Sequence, residues 1–166
     1  MILGMSTATY TFLHVLISVI GIGSGLVVMW GMLKGKPLDG IAAIFLSSTA
    51  LTSITGFGFP FEKLLPSHVL AILSLVVLAV TIPARYMFHL AGAWRAIYVV
   101  GSGVASYLNV FVLIVQFFEK VPALKALAPT QTETPFKVTQ LVVLLIFIGL
   151  GILATKRFHP EPAHAV

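Results

Sequence analysis

Read as a pattern of apolar and polar positions, the chain divides into long apolar runs separated by short polar connections. The run Ser67–Ile82, SHVLAILSLVVLAVTI, carries no charge, and after His68 only Ser74 and Thr81 interrupt it before Pro83. A membrane crossing needs about 20 residues at about 1.5 Å rise each, and extension to Phe88 supplies them. Applied along the whole chain, the same criterion gives candidate spans at 9–32, 41–59, 68–88, 94–118 and 138–155. The expected fold is an all-α integral membrane protein. It is a single membrane domain over 1–166, built as an up-and-down bundle of five transmembrane helices.

The polar residues within these spans are periodic. In the first span, His14, Ser18, Gly21 and Gly25 follow three- and four-residue spacings and share one helix face. Gly21 and Gly25 form a G-x-x-x-G pair, which lets a second backbone approach where lipid supplies no hydrophobic drive for helix pairing. The second span is the least hydrophobic, with Ser47, Ser48, Thr49, Thr52, Ser53 and Thr55 crowding its middle. Such hydroxyls either bond back to the carbonyl four residues earlier or line a solute path. In the fourth span, Ser102, Ser106, Asn109, Leu113 and Gln116 share a face. An amide at mid-membrane needs a partner, which for Asn109 is either another helix or a ligand. Ser48, Thr52, Asn109 and Gln116 are therefore the candidate polar cavity.

The connections differ in character. Residues 34–40 are short and basic. GFGFPFEKLLPSH, from Gly56 to His68, reads as an aromatic turn at the membrane interface, with Pro60 and Pro66 as breaks. Between Glu119 and Lys137 lies the one extended polar region, where VPALKALA predicts a short interfacial helix and PTQTETP an irregular segment. A basic and aromatic collar, Arg85, Tyr86, His89, Trp94 and Arg95, bridges the end of the third span and the start of the fourth.

Composition removes the soluble alternatives. Hydrophobic residues make up 58% of the chain and charged residues 9%, against about 25% charged in ordinary soluble domains. The net charge of +5 comes from ten Lys and Arg against five Asp and Glu. These basic residues stand singly or in pairs between apolar runs, which matches contact with anionic lipid headgroups rather than with nucleic acid. The absence of cysteine excludes disulfides and thiol chemistry. Without an early Lys or Arg, the N-terminal segment lacks the basic region of a signal peptide and reads as the start of the first span. Five crossings put Lys34, Lys36, Arg85, Arg95, Lys156 and Arg157 on one side and Lys63, Lys120, Lys125 and Lys137 on the other. Read for a bacterial inner membrane, the positive-inside rule then places the N-terminus outside and the C-terminus in the cytoplasm.

Histidine carries the remaining candidate chemistry. His14 and His68 enter from the same membrane side on different helices, and two imidazoles are the minimum set for both axial positions of a haem b. With Glu62 they also form a candidate three-ligand metal site. Arg85, Tyr86, His89 and Arg95 form a candidate interfacial site for an anion or a quinone carbonyl. No span carries an acid or a lysine at its centre, which weakens proton-pump and retinal readings. No H-E-x-x-H or G-x-S-x-G motif is present, and no catalytic residue is assigned. The leading expectation is a small membrane protein with a haem- or quinone-associated redox role. The alternatives are a solute transport or channel component and a structural accessory subunit of a membrane complex. Expected partners are membrane lipids and, through the small-residue faces, further copies of the chain or a larger complex.

Overall fold

A computed structural model describes residues 1–61 and 65–160. Six helices follow in order: α1 (Thr7–Leu33), α2 (Asp39–Gly56), α3 (Pro66–Tyr86), α4 (Ala93–Lys120), α5 (Pro122–Leu127) and α6 (Thr134–Arg157). By length and composition α1, α3, α4 and α6 could each cross a membrane. The protein is thus a membrane protein, all-helical among the described residues, with four strongly apolar helices there. The 18-residue α2, which opens on Asp39 and carries the run of hydroxyls, is less apolar than these four.

Helix boundaries follow local chemistry. Ser6 caps α1 by accepting a hydrogen bond from the Thr9 N–H at 3.1 Å. Proline occupies the first turn of α3, α5 and α6, where its missing N–H costs nothing. The tight link from α1 to α2 is made by Gly35 and Leu38, both in left-handed backbone conformations. Pro83 lies inside α3, which continues to Tyr86. The polar region between α4 and α6 contains α5 as a single short helix, where a short helix is expected.

The bundle is arranged around α4, which touches α1, α3, α5 and α6. Helix α2 packs mainly on α1 and also on α3. The main core combines Val28, Met29 and Met32 of α1, Phe45 and Leu46 of α2, Leu78 of α3, Tyr98 and Val99 of α4, and Phe158 after α6. A smaller cluster of Ile114, Phe118 and Ala128 joins α4 to the α5 region near the opposite end.

Close approach, rather than bulk burial, sets the α1 interface. A Cβ at Gly25 would lie 2.8 Å from Phe45 Cε2 and 2.9 Å from Ser106 Oγ. At Gly21 it would lie 3.3 Å from Ser48 Oγ and 3.6 Å from Asn109 Nδ2. The expected small-residue face of α1 is therefore the surface on which α2 and α4 pack. This is the arrangement that membrane helices need when dispersion and hydrogen bonding must do the joining.

Candidate functional site

A line of polar side chains runs through the interior where α1, α2 and α4 meet, and reaches α3 at one end. At its middle, Asn109 Nδ2 donates to Thr49 Oγ1 at 2.9 Å, joining α4 to α2 beside Gly21. Ser48 Oγ donates to the Ile44 carbonyl at 2.6 Å, and Ser53 Oγ to the Thr49 carbonyl at 2.9 Å. These two hydroxyls are satisfied within their own helix. Others are not. The buried hydroxyls of Thr52, Ser74, Tyr98, Ser102 and Ser106 have no hydrogen-bond partner among the described residues. Of the candidate cavity residues, Ser48 and Asn109 are brought together around Gly21, and Thr52 lies one turn along α2 from Ser48. Gln116 lies two turns beyond Asn109 on α4 and is half-buried.

At the His14 end, the imidazole Nδ1 and Thr55 Oγ1 are 2.8 Å apart. Thr55 Oγ1 donates its own proton to the Leu51 carbonyl at 2.7 Å. While that bond is made, Thr55 Oγ1 can only accept from His14, and a neutral ring then carries its proton on Nδ1 and keeps the Nε2 lone pair free of this bond. The Tyr10 hydroxyl donates to the Thr55 carbonyl at 2.8 Å, and the Phe59 ring stands edge-on to both Tyr10 and His14.

His68 is held differently. Its Nδ1 accepts the Leu65 N–H at 3.0 Å, so that the side chain closes the first turn of α3. A neutral ring bonded in this way carries its proton on Nε2. Phe57 stacks on His68 at 5.4 Å between ring centroids, and Phe61 lies at 4.1 Å. The two histidines thus contact different members of the Phe57–Phe61 segment, and no hydrogen bond joins them. Glu62, the third candidate ligand, lies outside the described residues. Among those that are described, no three His, Cys, Asp or Glu side chains come together as a metal site.

At the opposite end, the expected anion or quinone site holds together only in part: the Arg85 guanidinium lies 5.9 Å over the Tyr86 ring, while Arg95 is engaged elsewhere. Arg85 turns inward. It pairs with Asp39, donates from Nη2 to the Pro37 carbonyl at 3.2 Å, and lies 4.9 Å over the Tyr98 ring. Its Nη1 has no partner among the described residues. Arg95 Nη1 donates to the carbonyls of Thr155 and Phe158 at 2.9 and 2.7 Å, where a cation offsets the negative end of α6. Tyr86 and His89 remain exposed, and His89 sits at φ +47° in the link between α3 and α4. Two of the four cations and donors are therefore committed to separate internal contacts.

Tyr98, Thr55 and Asp39 were not expected as site residues. Tyr98 lies four residues before Ser102, so the polar face of α4 could have been extended back to it. Thr55 stood among the α2 hydroxyls, but only the fold sets it opposite His14. The Asp39–Arg85 pair spans 46 residues and has no sequence signature. Comparison with protein-family models, with curated proteins and with solved structures finds no match to this chain.

Proposed function

We propose that the protein is a small transport component, a narrow conduit for polar solutes between α1, α2 and α4. It would lie in a membrane of the bacterial inner-membrane type, with five crossings, the N-terminus outside and the C-terminus in the cytoplasm. The fifth crossing is α2. That assignment is supported by its course beside α1, from Leu38 against Gly31 at one end to Thr55 against Tyr10 and His14 at the other. Flanked by α1 and α3, α2 can be less apolar than a helix surrounded by lipid. The distribution of Lys and Arg supports the orientation.

The observation that carries the transport reading is the run of buried hydroxyls without partners, Thr52, Ser106 and Ser102, between the His14 and Arg85 ends. An orphaned buried polar group costs about 1–3 kcal/mol. Retention of several along one line favours a passage in which water or a polar solute completes the bonding. The absence of a mid-span carboxylate disfavours cation coupling and leaves uncharged or anionic cargo.

The haem or quinone reading draws its support from His14, whose Nε2 lone pair is free of the Thr55 bond. His68 supports it less, because ligation through Nε2 would require that proton to move and the Leu65 contact to change. A reduced-minus-oxidised absorption spectrum of gently purified protein separates the readings: a b-type difference lost in His14→Ala would establish haem. The transport reading is tested by osmotic light scattering of proteoliposomes challenged with urea and with sodium bromide. We expect permeation above that of protein-free vesicles, reduced in Ser106→Val. Equal permeation of both solutes with and without protein would refute the conduit.

A further inference from the structure

We propose that the inner end of the polar line, where Arg85 Nη1, the Tyr98 hydroxyl and the Ser102 hydroxyl lie, is a binding site for a small monovalent anion, which enters by displacing the Asp39 carboxylate. This assigns a cargo class to the conduit and rests on that reading, although binding can be tested without it.

The chemistry of the unused groups sets the ligand. Arg85 has only donors to offer, and its ion pair and the Pro37 carbonyl account for Nη2 alone. Tyr98 and Ser102 are fully buried on successive turns of the same α4 face. Their hydroxyls lie close enough to interact with each other, and that of Tyr98 with Arg85, yet none of the three unused groups meets full hydrogen-bond geometry among the described residues. Tyr98 also lies directly under the guanidinium. A guanidinium nitrogen and two hydroxyls together offer an excess of N–H and O–H donors, which suits an acceptor that brings negative charge. An ammonium or metal ion would instead face the buried cation.

Asp39 explains how such a site could empty and fill. Its side chain is 82% exposed, whereas that of Arg85 is 5% exposed. The carboxylate stands in the first turn of α2 and can rotate into water, while the guanidinium stays enclosed by α3 and α4. With Asp39 in place, the pair is neutral. An anion added to that neutral pair would leave one buried negative charge uncompensated. An anion that replaces the carboxylate keeps the buried site neutral while Asp39 is rehydrated. Asp39 is thus a resident competitor, and its removal should tighten binding rather than weaken it. That sign distinguishes an exchange site from a merely structural ion pair.

The test uses the full-length protein in detergent at constant ionic strength, with sodium bromide replacing sodium gluconate, and reads the thermal unfolding midpoint. Wild type should show a saturable rise with bromide. Asp39→Asn should reach half of that rise at about tenfold lower bromide, the scale expected when one like charge beside a partly buried cation is removed. Tyr98→Phe and Ser102→Ala keep the cation and each remove one hydroxyl, and both should require more bromide. The proposal is overturned if wild type and Asp39→Asn give no saturable response, the result expected of a site filled by water alone. It is equally overturned if the response is the same in Tyr98→Phe and Ser102→Ala. Proteoliposome flux then separates the two claims. Bromide binding without permeation of any solute keeps the anion site and defeats the conduit. Urea permeation without bromide binding keeps the conduit and defeats the anion site.

Discussion

Helices α4 and α6 pack against each other, yet they are made for different surroundings. Of the four strongly apolar helices, α6 is the most apolar and the least buried within the protein, whereas α4 is the least apolar and the most buried. In water this order would be reversed. In lipid, the outward surface must be apolar and the inward surface can carry hydroxyls and amides, provided they are paired or hydrated. Glycine shows the same contrast. Gly149 and Gly151 on α6 have nothing near the position of a Cβ, while Gly21 and Gly25 on α1 are hemmed in by Ser48, Phe45, Ser106 and Asn109. Hydropathy therefore identifies which helices meet lipid, and polar periodicity identifies which faces meet protein.

The sharpest way to break this contrast is to add bulk on both sides. Gly25→Leu places a side chain where Phe45 and Ser106 already stand. Overpacking typically costs about 1–3 kcal/mol and occasionally more, and here it would also separate α1 from two helices. We expect a large fall in thermal midpoint and in the yield of folded protein. Gly149→Leu should leave both unchanged or slightly improved, since the site is open and leucine is the better helix former. Comparable losses in the two variants would show that α6 also faces a partner.

Much of this division was legible in the sequence. Four of the five candidate spans match the strongly apolar helices to within a few residues, the fifth, 41–59, matches the less apolar α2, and the three- and four-residue spacing of Gly21, Gly25, Ser102, Ser106 and Asn109 marks the packed faces. What could not be read was which polar groups meet across helices. The spacing of Arg85, Tyr86, His89 and Arg95 suggests one interfacial cluster. Instead, the last turn of α3 points Arg85 towards Asp39, and the first turn of α4 points Arg95 at the end of α6. A one-residue change in where a helix ends rotates a side chain by about 100°, and sequence patterns do not fix helix ends to that accuracy. His14 and His68 share a membrane side by count, but their hydrogen bonds to Thr55 and Leu65 are set by local turns that periodicity does not encode.

A smaller effect compares two amides on the two sides of α4. Asn109 binds Thr49 across the α2 interface at 2.9 Å, whereas Gln140 of α6 makes a longer 3.2 Å bond to the Phe111 carbonyl. The Gln140 Oε1 is buried and has no partner among the described residues. Interhelical hydrogen bonds in membranes are worth about 0.6–2 kcal/mol. Asn109→Leu should therefore destabilise by an amount in that range, as measured by thermal or denaturant unfolding in detergent. Gln140→Leu loses a weaker bond but also removes an orphaned acceptor, and the change should stay within about 0.5 kcal/mol. A larger loss at Gln140 than at Asn109 would move the principal polar contact of α4 from α2 to α6.

The smallest effect lies outside the apolar spans and tests whether the polar connection before α6 is as ordered as the interior. The Glu133 carboxylate accepts from the Thr130 hydroxyl at 2.8 Å, from the Thr130 N–H at 3.2 Å and from the Thr132 N–H at 3.0 Å. The Thr130 hydroxyl is the main influence that holds its pKa below the ordinary glutamate value, with the backbone N–H groups adding to it. Because the folded value lies below the unfolded one, the stabilisation is present above the unfolded pKa. It is lost as pH falls through the folded pKa. The group is fully solvated, so the readout should be local: a carboxyl carbon NMR titration, with amide exchange at Thr130 and Thr132. Wild type should titrate below the ordinary glutamate range, and the two amides should exchange faster once Glu133 is protonated. Thr130→Val should bring the titration back towards the ordinary value without changing the thermal midpoint. An ordinary titration in wild type would mean that this turn is not held by Glu133.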